Sequence, residues 1–253
     1  MNIAIITGAS SGMGMEFARR ISETVTLDEM WLIARREDKL KELGAQLKIP
    51  CRVLPLDLSD SRCLESLKAL LKGEKPVVKA LVNASGYGKF GSFEDIPIEE
   101  QLNMIDLNCK ALTKITYDVL PYTENGSQIY QLGSLSAFQP VPYIGVYGAG
   151  KAYVLSFSRA LNRELKGRGI KVMAVCPGWV RTEFFDRAVR DDTITYYNRF
   201  YTPEQVVNRA LRDMKKGKDV SICGLAIRMQ VRATKLLPHK LVMSIWCKQQ
   251  KKG

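Results

Sequence analysis

Apolar and polar positions along this 253-residue chain alternate between two rhythms. Short runs rich in β-branched and aliphatic residues recur at 2–7, 29–34, 51–56, 80–83, 128–132, 171–176 and 219–222. Segments with helical spacing of their apolar residues fill the gaps, at 13–23, 36–47, 61–71, 98–120, 147–168 and 203–215. The early runs are apolar at nearly every position, so they have no wet face and are expected to be covered on both sides. Strands alternating with helices predict an α/β fold, a doubly wound parallel sheet of about seven strands with right-handed crossovers.

No repeat, low-complexity stretch or linker divides the pattern, which predicts one domain over 1–223. Within it, 184–201 is polar and aromatic without periodicity and reads as a loop or lid. Residues 224–253 read as a helical extension of the same domain, interrupted at Pro238.

Composition adds exclusions. At 46% hydrophobic content the chain can form a sizeable core. Six cysteines with no C-x-x-C pair and a single histidine argue against a metal site or a disulfide scaffold. Scattered cysteines suit a reducing compartment. The first eight residues lack the basic region of a signal peptide, and no run is long enough to span a bilayer, so a cytoplasmic location is expected. The net charge is +12, and residues 224–253 alone hold seven Lys/Arg and no acid.

The first strand runs into TGASSGMG, Thr7 to Gly14, and then a helix. Gly8, Gly12 and Gly14 allow a tight turn in which the backbone of Ser10, Ser11 and Met13 can approach a pyrophosphate at the positive helix end. The spacing is G-x-x-x-G-x-G, longer than the usual dinucleotide fingerprint. The second strand ends at Arg35 and Arg36, where an acid would hold a ribose hydroxyl and an arginine suits a 2′-phosphate. NADP(H) is therefore expected over NAD(H), with NAD(H) still possible. Glu37 and Asp38 favour the start of the following helix.

These motifs, in their order, resemble the short-chain dehydrogenase/reductase family over most of the chain. TGASSGMG is similar to the family's T-G-x-x-x-G-x-G. LDLS at 56–59 resembles its adenine-site segment, which implies that role for Asp57 with Leu58 beside it. VNASG at 82–86 resembles N-N-A-G; Asn83 and Gly86 keep the pattern, with Ala84 and Ser85 between them. DLN at 106–108 aligns Asn108, GSLSA at 133–137 aligns Ser134, and YGAGK at 147–151 aligns Tyr147 and Lys151, with Gly150 where the family often has Ser. PGWVRT resembles P-G-x-x-x-T and implies cofactor contacts from Pro177, Gly178, Val180 and Thr182. The resemblance implies a Rossmann-type fold and an oxidoreductase. It also implies a homodimer or homotetramer built on helices 98–120 and 147–168.

Carbonyl reduction needs a hydride from nicotinamide and a proton from an acid. A free tyrosine, with a pKa of about 10, is a poor acid or base near neutral pH unless a cation lowers it. Residues i and i+4 share one helix face, so Lys151 is expected beside Tyr147 and to favour its phenolate. Of ten tyrosines, only Tyr147 has a lysine four positions on. Ser134, at a strand end, is expected to hydrogen-bond the substrate oxygen; Ser136 competes, and the family spacing favours Ser134. Asn108, by resemblance, holds a water that links Lys151 to solvent; otherwise it is an exposed helical Asn. By resemblance, Lys151 also holds the nicotinamide ribose, and Gly148 and Gly150 let the cofactor approach the helix backbone.

The pocket rim is expected from 86–93, 138–146 and the lid, including Tyr87, Phe90, Phe138, Tyr143, Trp179, Phe184, Phe185, Tyr196, Tyr197 and Phe200. That set suits a lipophilic ketone, aldehyde or alcohol of hydroxysteroid type. Alternatives are a 3-oxoacyl thioester reductase and a non-catalytic NADP(H)-sensing domain. Arg181, Arg187, Arg190 and Arg199 either hold an anionic group or are solvated. The basic tail has three readings: peripheral contact with an anionic membrane, packing on the core or another subunit, or binding an acidic carrier protein. No nucleic-acid motif accompanies the charge.

Overall fold

The computed structural model describes residues 1–189 and 191–252. Arg190 and Gly253 lie outside the described residues. Strand β1 (Asn2–Thr7) feeds helix α1 (Gly12–Thr24), β2 (Glu29–Ala34) feeds α2 (Glu37–Gln46), and β3 (Cys51–Pro55) feeds α3 (Ser61–Glu74). Strand β4 (Val77–Asn83) leads through a loop to α4 (Ile98–Ile105) and α5 (Leu112–Val119). Then come β5 (Gln128–Leu132), α6 (Gly145–Glu164) and β6 (Lys171–Val175). The lid region holds β7 (Trp179–Val180), α7 (Phe184–Ala188) and β8 (Phe200–Tyr201). Helix α8 (Pro203–Lys215), strand β9 (Val220–Ser221), and helices α9 (Leu225–Leu236) and α10 (His239–Gln249) complete the chain.

Seven strands pair in parallel in the order β3-β2-β1-β4-β5-β6-β9. The period of two splits each strand between two cores. Ala4 and Ile6 join Phe17, Ile21, Leu40 and Val207 on one side. Ile3 and Ile5 join Leu67, Ile115, Val119 and Leu161 on the other. Strand order reverses between β1 and β4, which opens a crevice at their carboxyl ends, where ligands bind in such sheets.

Two sequence expectations need correction. The helix expected over 98–120 is interrupted at Asp106–Ala111 by a wider i→i+5 turn. Such turns mark functional positions, and this one carries Asn108. The lid is not a bare loop. It contains α7, and β8 pairs in parallel with β7 through Trp179↔Phe200 and Val180↔Tyr201.

The extension packs on the domain. Helix α9 buries Ile227 and Val231, and α10 buries Val242. Trp246 donates its indole N–H to the Pro142 carbonyl at 3.0 Å. Gln250, only 1% exposed, accepts the N–H groups of Thr195 and Tyr196, both at 2.9 Å, and donates to the Tyr196 carbonyl. One side chain thus ties the chain's end to the lid. Gln250→Ala strands two lid N–H groups, each unsatisfied group costing about 1–3 kcal/mol. The expected result is loss of hydrogen-exchange protection at Thr195 and Tyr196, with the sheet amides unchanged.

Candidate active site

Helix α1 starts with no acid in its first turn and no side-chain cap from Ser11. Its first N–H groups therefore face the crevice as a positive end for an anion. The glycines have more than one task. A side chain on Gly14 would collide with the Gly8 carbonyl, and one on Gly8 would meet the Ala84 carbonyl at 2.8 Å. These two keep the turn compact. Gly12 has φ +55°, and a Cβ there would sit 3.0 Å from Thr182 Cγ2, so the base of the lid already rests on this turn. Met13 and Thr182 border an apolar-walled cavity with Pro177, Gly178 and Val180.

At the end of β2, Arg36 donates to Ser10 Oγ (3.3 and 3.1 Å) and pairs with Glu183 of the lid at 2.7 Å. Arg35 is more exposed and lies 3.9 Å from Asp57. Burial pushes the Asp57 carboxyl up, but Ser59's hydroxyl and N–H, with Arg35 and Arg187, hold it below its usual value. Leu58 is buried in the core, so its side chain does not face the crevice. Thr7 Oγ1 accepts the N–H groups of Ala84 (3.0 Å) and Ser85 (3.1 Å), fixing their loop above β1. Asn83 departs from the expected cofactor contact. Its amide donates to Thr116 and Gln131 in a buried cluster, so its side chain organises β4, β5 and α5. Uncapped helix N–H groups, two guanidiniums and the Ser10 hydroxyl make a donor set that fits a phosphorylated dinucleotide.

Tyr147 and Lys151 share one face of α6, with Lys151 Nζ 5.6 Å from the Tyr147 ring centre. Lys151 is 5% exposed and donates to the Leu132 carbonyl at 2.6 Å. Burial lowers it to about 8. Burial also pushes the half-buried Tyr147 hydroxyl up to about 12, against a hydrogen bond with Ser134 that pulls it down. The expected lowering of Tyr147 by Lys151 is therefore not seen, because desolvation outweighs the Ser134 hydrogen bond. Ser134 Oγ also accepts the Ser136 N–H at 3.2 Å. Ser136 Oγ has no partner among the described residues, so the hydroxyl that meets Tyr147 is that of Ser134.

Asn108 is 1% exposed, which removes the reading of an exposed helical Asn. Its Oδ1 accepts the Tyr87 N–H (3.1 Å) and its Nδ2 donates to the Tyr87 carbonyl (2.8 Å). A side chain bonded at both ends clamps the 86–87 backbone, so the expected water relay does not run through a free amide. A Cβ on Gly86 would lie 2.6 Å from Asn108 Oδ1 and 3.6 Å from Lys151 Nζ, so Gly86 leaves room for both. Gly148 and Gly150 also differ from expectation. Missing Cβ atoms there would meet Ser136 and the Cys109 sulfur, at 3.8 and 3.3 Å. At Gly150 the small size serves close packing of α6 on Cys109, whereas at Gly148 a side-chain carbon would make only an ordinary contact. Cys176, fully buried beside Ser134, was not singled out by any motif; burial raises its thiol to about 12.

A cavity of about 360 Å³ opens above Ser134, Tyr147 and Lys151. Phe90, Trp179, Phe184, Phe185 and Tyr196 line it as expected. Of the others, Tyr197 and Phe200 pack on Phe185, Tyr87 carries the Arg187 guanidinium on its ring, and Phe138 and Tyr143 face Lys235 and Lys252 and do not line the cavity. The far wall comes from α9 and α10, through Gln230, Thr234, Leu237, Val242, Ile245 and Trp246. Among the described residues Lys151 is the sole charged lining group. Arg187 sits on Tyr87 and Arg199 over Tyr201, and neither these nor Arg181 lines the cavity; Arg190 lies outside the described residues. Glu183 and the C-terminal wall were missed in the sequence because each meets its partners across a hundred residues or more.

The short chain dehydrogenase family pattern matches residues 2–193. Sulfoacetaldehyde reductase 2 of Chromohalobacter salexigens is 38% identical over 192 residues, covering 72% of this chain and 74% of its own. A short-chain dehydrogenase from Sphingobium yanoikuyae, solved in complex with NADPH, is 30% identical with a TM-score of 0.80 and 96% of each chain covered. The bulky-bulky ketone specific alcohol dehydrogenase from Comamonas testosteroni is 25% identical, with a TM-score of 0.74 over 96% of this chain and 94% of its own. With its nucleotide crevice, its Ser134–Tyr147–Lys151 cluster and these relatives, the chain belongs to the short-chain dehydrogenase/reductase family, oxidoreductases that act on alcohol and carbonyl groups with NAD(P).

Proposed function

We propose that the protein is an NADPH-dependent reductase of a bulky, uncharged, lipophilic ketone. The observation that carries this reading is the apolar-walled cavity over Tyr147, whose far wall offers neutral polar groups such as Gln230 and Thr234. Sulfoacetaldehyde carries a sulfonate, which needs a cation. Lys151, the one lining cation among the described residues, is engaged by the Leu132 carbonyl. The Comamonas relative, by its description specific for bulky-bulky ketones, fits the cavity better.

When bound, the nicotinamide supplies the hydride. Ser134 Oγ holds the substrate oxygen, and Tyr147 gives that oxygen its proton. A tyrosine raised to about 12 is fully protonated at neutral pH, which is the form a proton donor needs. Lys151 offsets the negative charge that develops on Tyr147 as the proton leaves. Asn108 is a positioning residue, because it holds the Tyr87 backbone beside Lys151. At the other end of the crevice Arg35 is the better candidate for the 2′-phosphate, since Arg36 already pairs with Glu183.

An oligomer built on α4, α5 and α6 is part of the reading. Ile98, Leu102, Ile105, Tyr117 and Tyr153 are exposed on these helices. Leu102→Glu with Tyr153→Glu is expected to lower the mass measured by light scattering.

Tyr147→Phe should lose at least about 10²-fold in kcat for a bulky test ketone while NADPH binding is kept; near-normal turnover would remove Tyr147 from the mechanism. The pH profiles should separate by direction. Alcohol oxidation, which needs Tyr147 as a base, rises with pH through the alkaline range. Reductive kcat/KM for NADPH falls as pH rises through about 8, where Lys151 loses its proton. Arg35→Ala should reduce kcat/KM for NADPH by about 10- to 100-fold and leave NADH within a few-fold, consistent with one lost charge-assisted contact.

A further inference from the structure

Helix α9 is apolar on two opposite faces. Ile227, Val231 and Thr234 form the buried stripe. Turned half-way round, the stripe Leu225–Met229–Arg232–Leu236 faces outward, and its apolar members are 68%, 53% and 85% exposed. An ordinary surface helix carries polar residues there. Helix α10 repeats the arrangement. It buries Val242 and turns Leu241, Ile245 and Lys248 outward.

These outward apolar residues lie among cations. Residues 224–252 contain Arg228, Arg232, Lys235, Lys240, Lys248, Lys251 and Lys252 and no acid. Lys235 lies over Phe138 and Lys252 over Tyr143, so two cations are anchored by aromatic rings at this end of the molecule. The patch also meets the cavity. Leu237 and Ile245 line it and are themselves 39% and 44% exposed. Leu236, beside Leu237, points away from it into solvent.

We infer that the outer face of α9 and α10 docks the protein on an anionic lipid surface and sets the mouth of the cavity against that surface. Exposed leucines flanked by Lys/Arg on a helix lying flat suit insertion of the apolar side chains at the headgroup boundary, with the cations on anionic lipids. A second copy of the same face would bring like charges together, which opposes self-pairing. A lipophilic ketone dissolved in the bilayer would then reach Tyr147 between Leu237 and Ile245 without crossing bulk water. This last consequence rests on the substrate reading above; the docking itself does not.

The test uses the full chain and vesicles of phosphatidylcholine with or without phosphatidylglycerol. Co-sedimentation is expected with the anionic vesicles only, weakened by added salt. Vesicle-dependent hydrogen-exchange protection is expected within 225–248. Leu236→Glu with Leu241→Glu should reduce partitioning at least tenfold. Neither residue lines the cavity, so turnover of a water-soluble test ketone without vesicles should be unchanged. That assay fails if the substrate reading fails, whereas vesicle binding is measured without substrate. The inference is overturned if the wild-type chain stays in solution with anionic vesicles, or if the double variant binds them equally. It is also overturned if the double variant loses subunits in light scattering, or if only a soluble acidic polypeptide binds this face.

Discussion

A lysine ammonium buried beneath a tyrosine is the constraint on which this site rests. Taking Lys151 out of water disfavours its charge, and its ammonium donates to the Leu132 carbonyl at the end of β5. Gly86 must lack a side chain so that Lys151 and Asn108 both fit. The wide turn at Asp106–Ala111 brings Asn108 in from the neighbouring helix to clamp Tyr87. Gly150, against Cys109, lets α6 lie close to that turn. The same burial keeps Tyr147 protonated at neutral pH.

The nucleotide crevice and the lid are one structure. Thr182 rests against Gly12, Glu183 pairs with Arg36, and β8 pairs beside β7 at the lid's base. The first residues of this segment also lead into the cavity wall at Phe184 and Phe185. This short segment thus touches both the glycine turn and the cavity wall. The Arg36–Glu183 pair is half-exposed and of modest strength by itself.

The last two helices close the cavity on the opposite side. Their inner faces supply apolar wall, Trp246 reaches the Pro142 carbonyl, and Gln250 holds the lid. Their outer faces repeat the apolar spacing where solvent alone would favour polar residues. A segment amphipathic in one direction only would have closed the pocket equally well.

The sequence by itself determined the sheet, because doubly covered parallel strands must be apolar throughout and their spacing admits few alternatives. It also determined the nucleotide turn and the Tyr147–Lys151 pair, since both depend on neighbours within one turn of helix. It could not decide the roles of Asn83 or Asn108, whose amide partners lie 21 to 48 residues away. Nor could it decide the direction of the Tyr147 shift. The motif names a cation four positions on, but desolvation depends on everything packed around the ring. Tertiary structure alone turned the basic tail into a wall of the cavity over Tyr147, because anchoring Gln250 and Trp246 requires partners about 55 and 104 residues earlier in the chain.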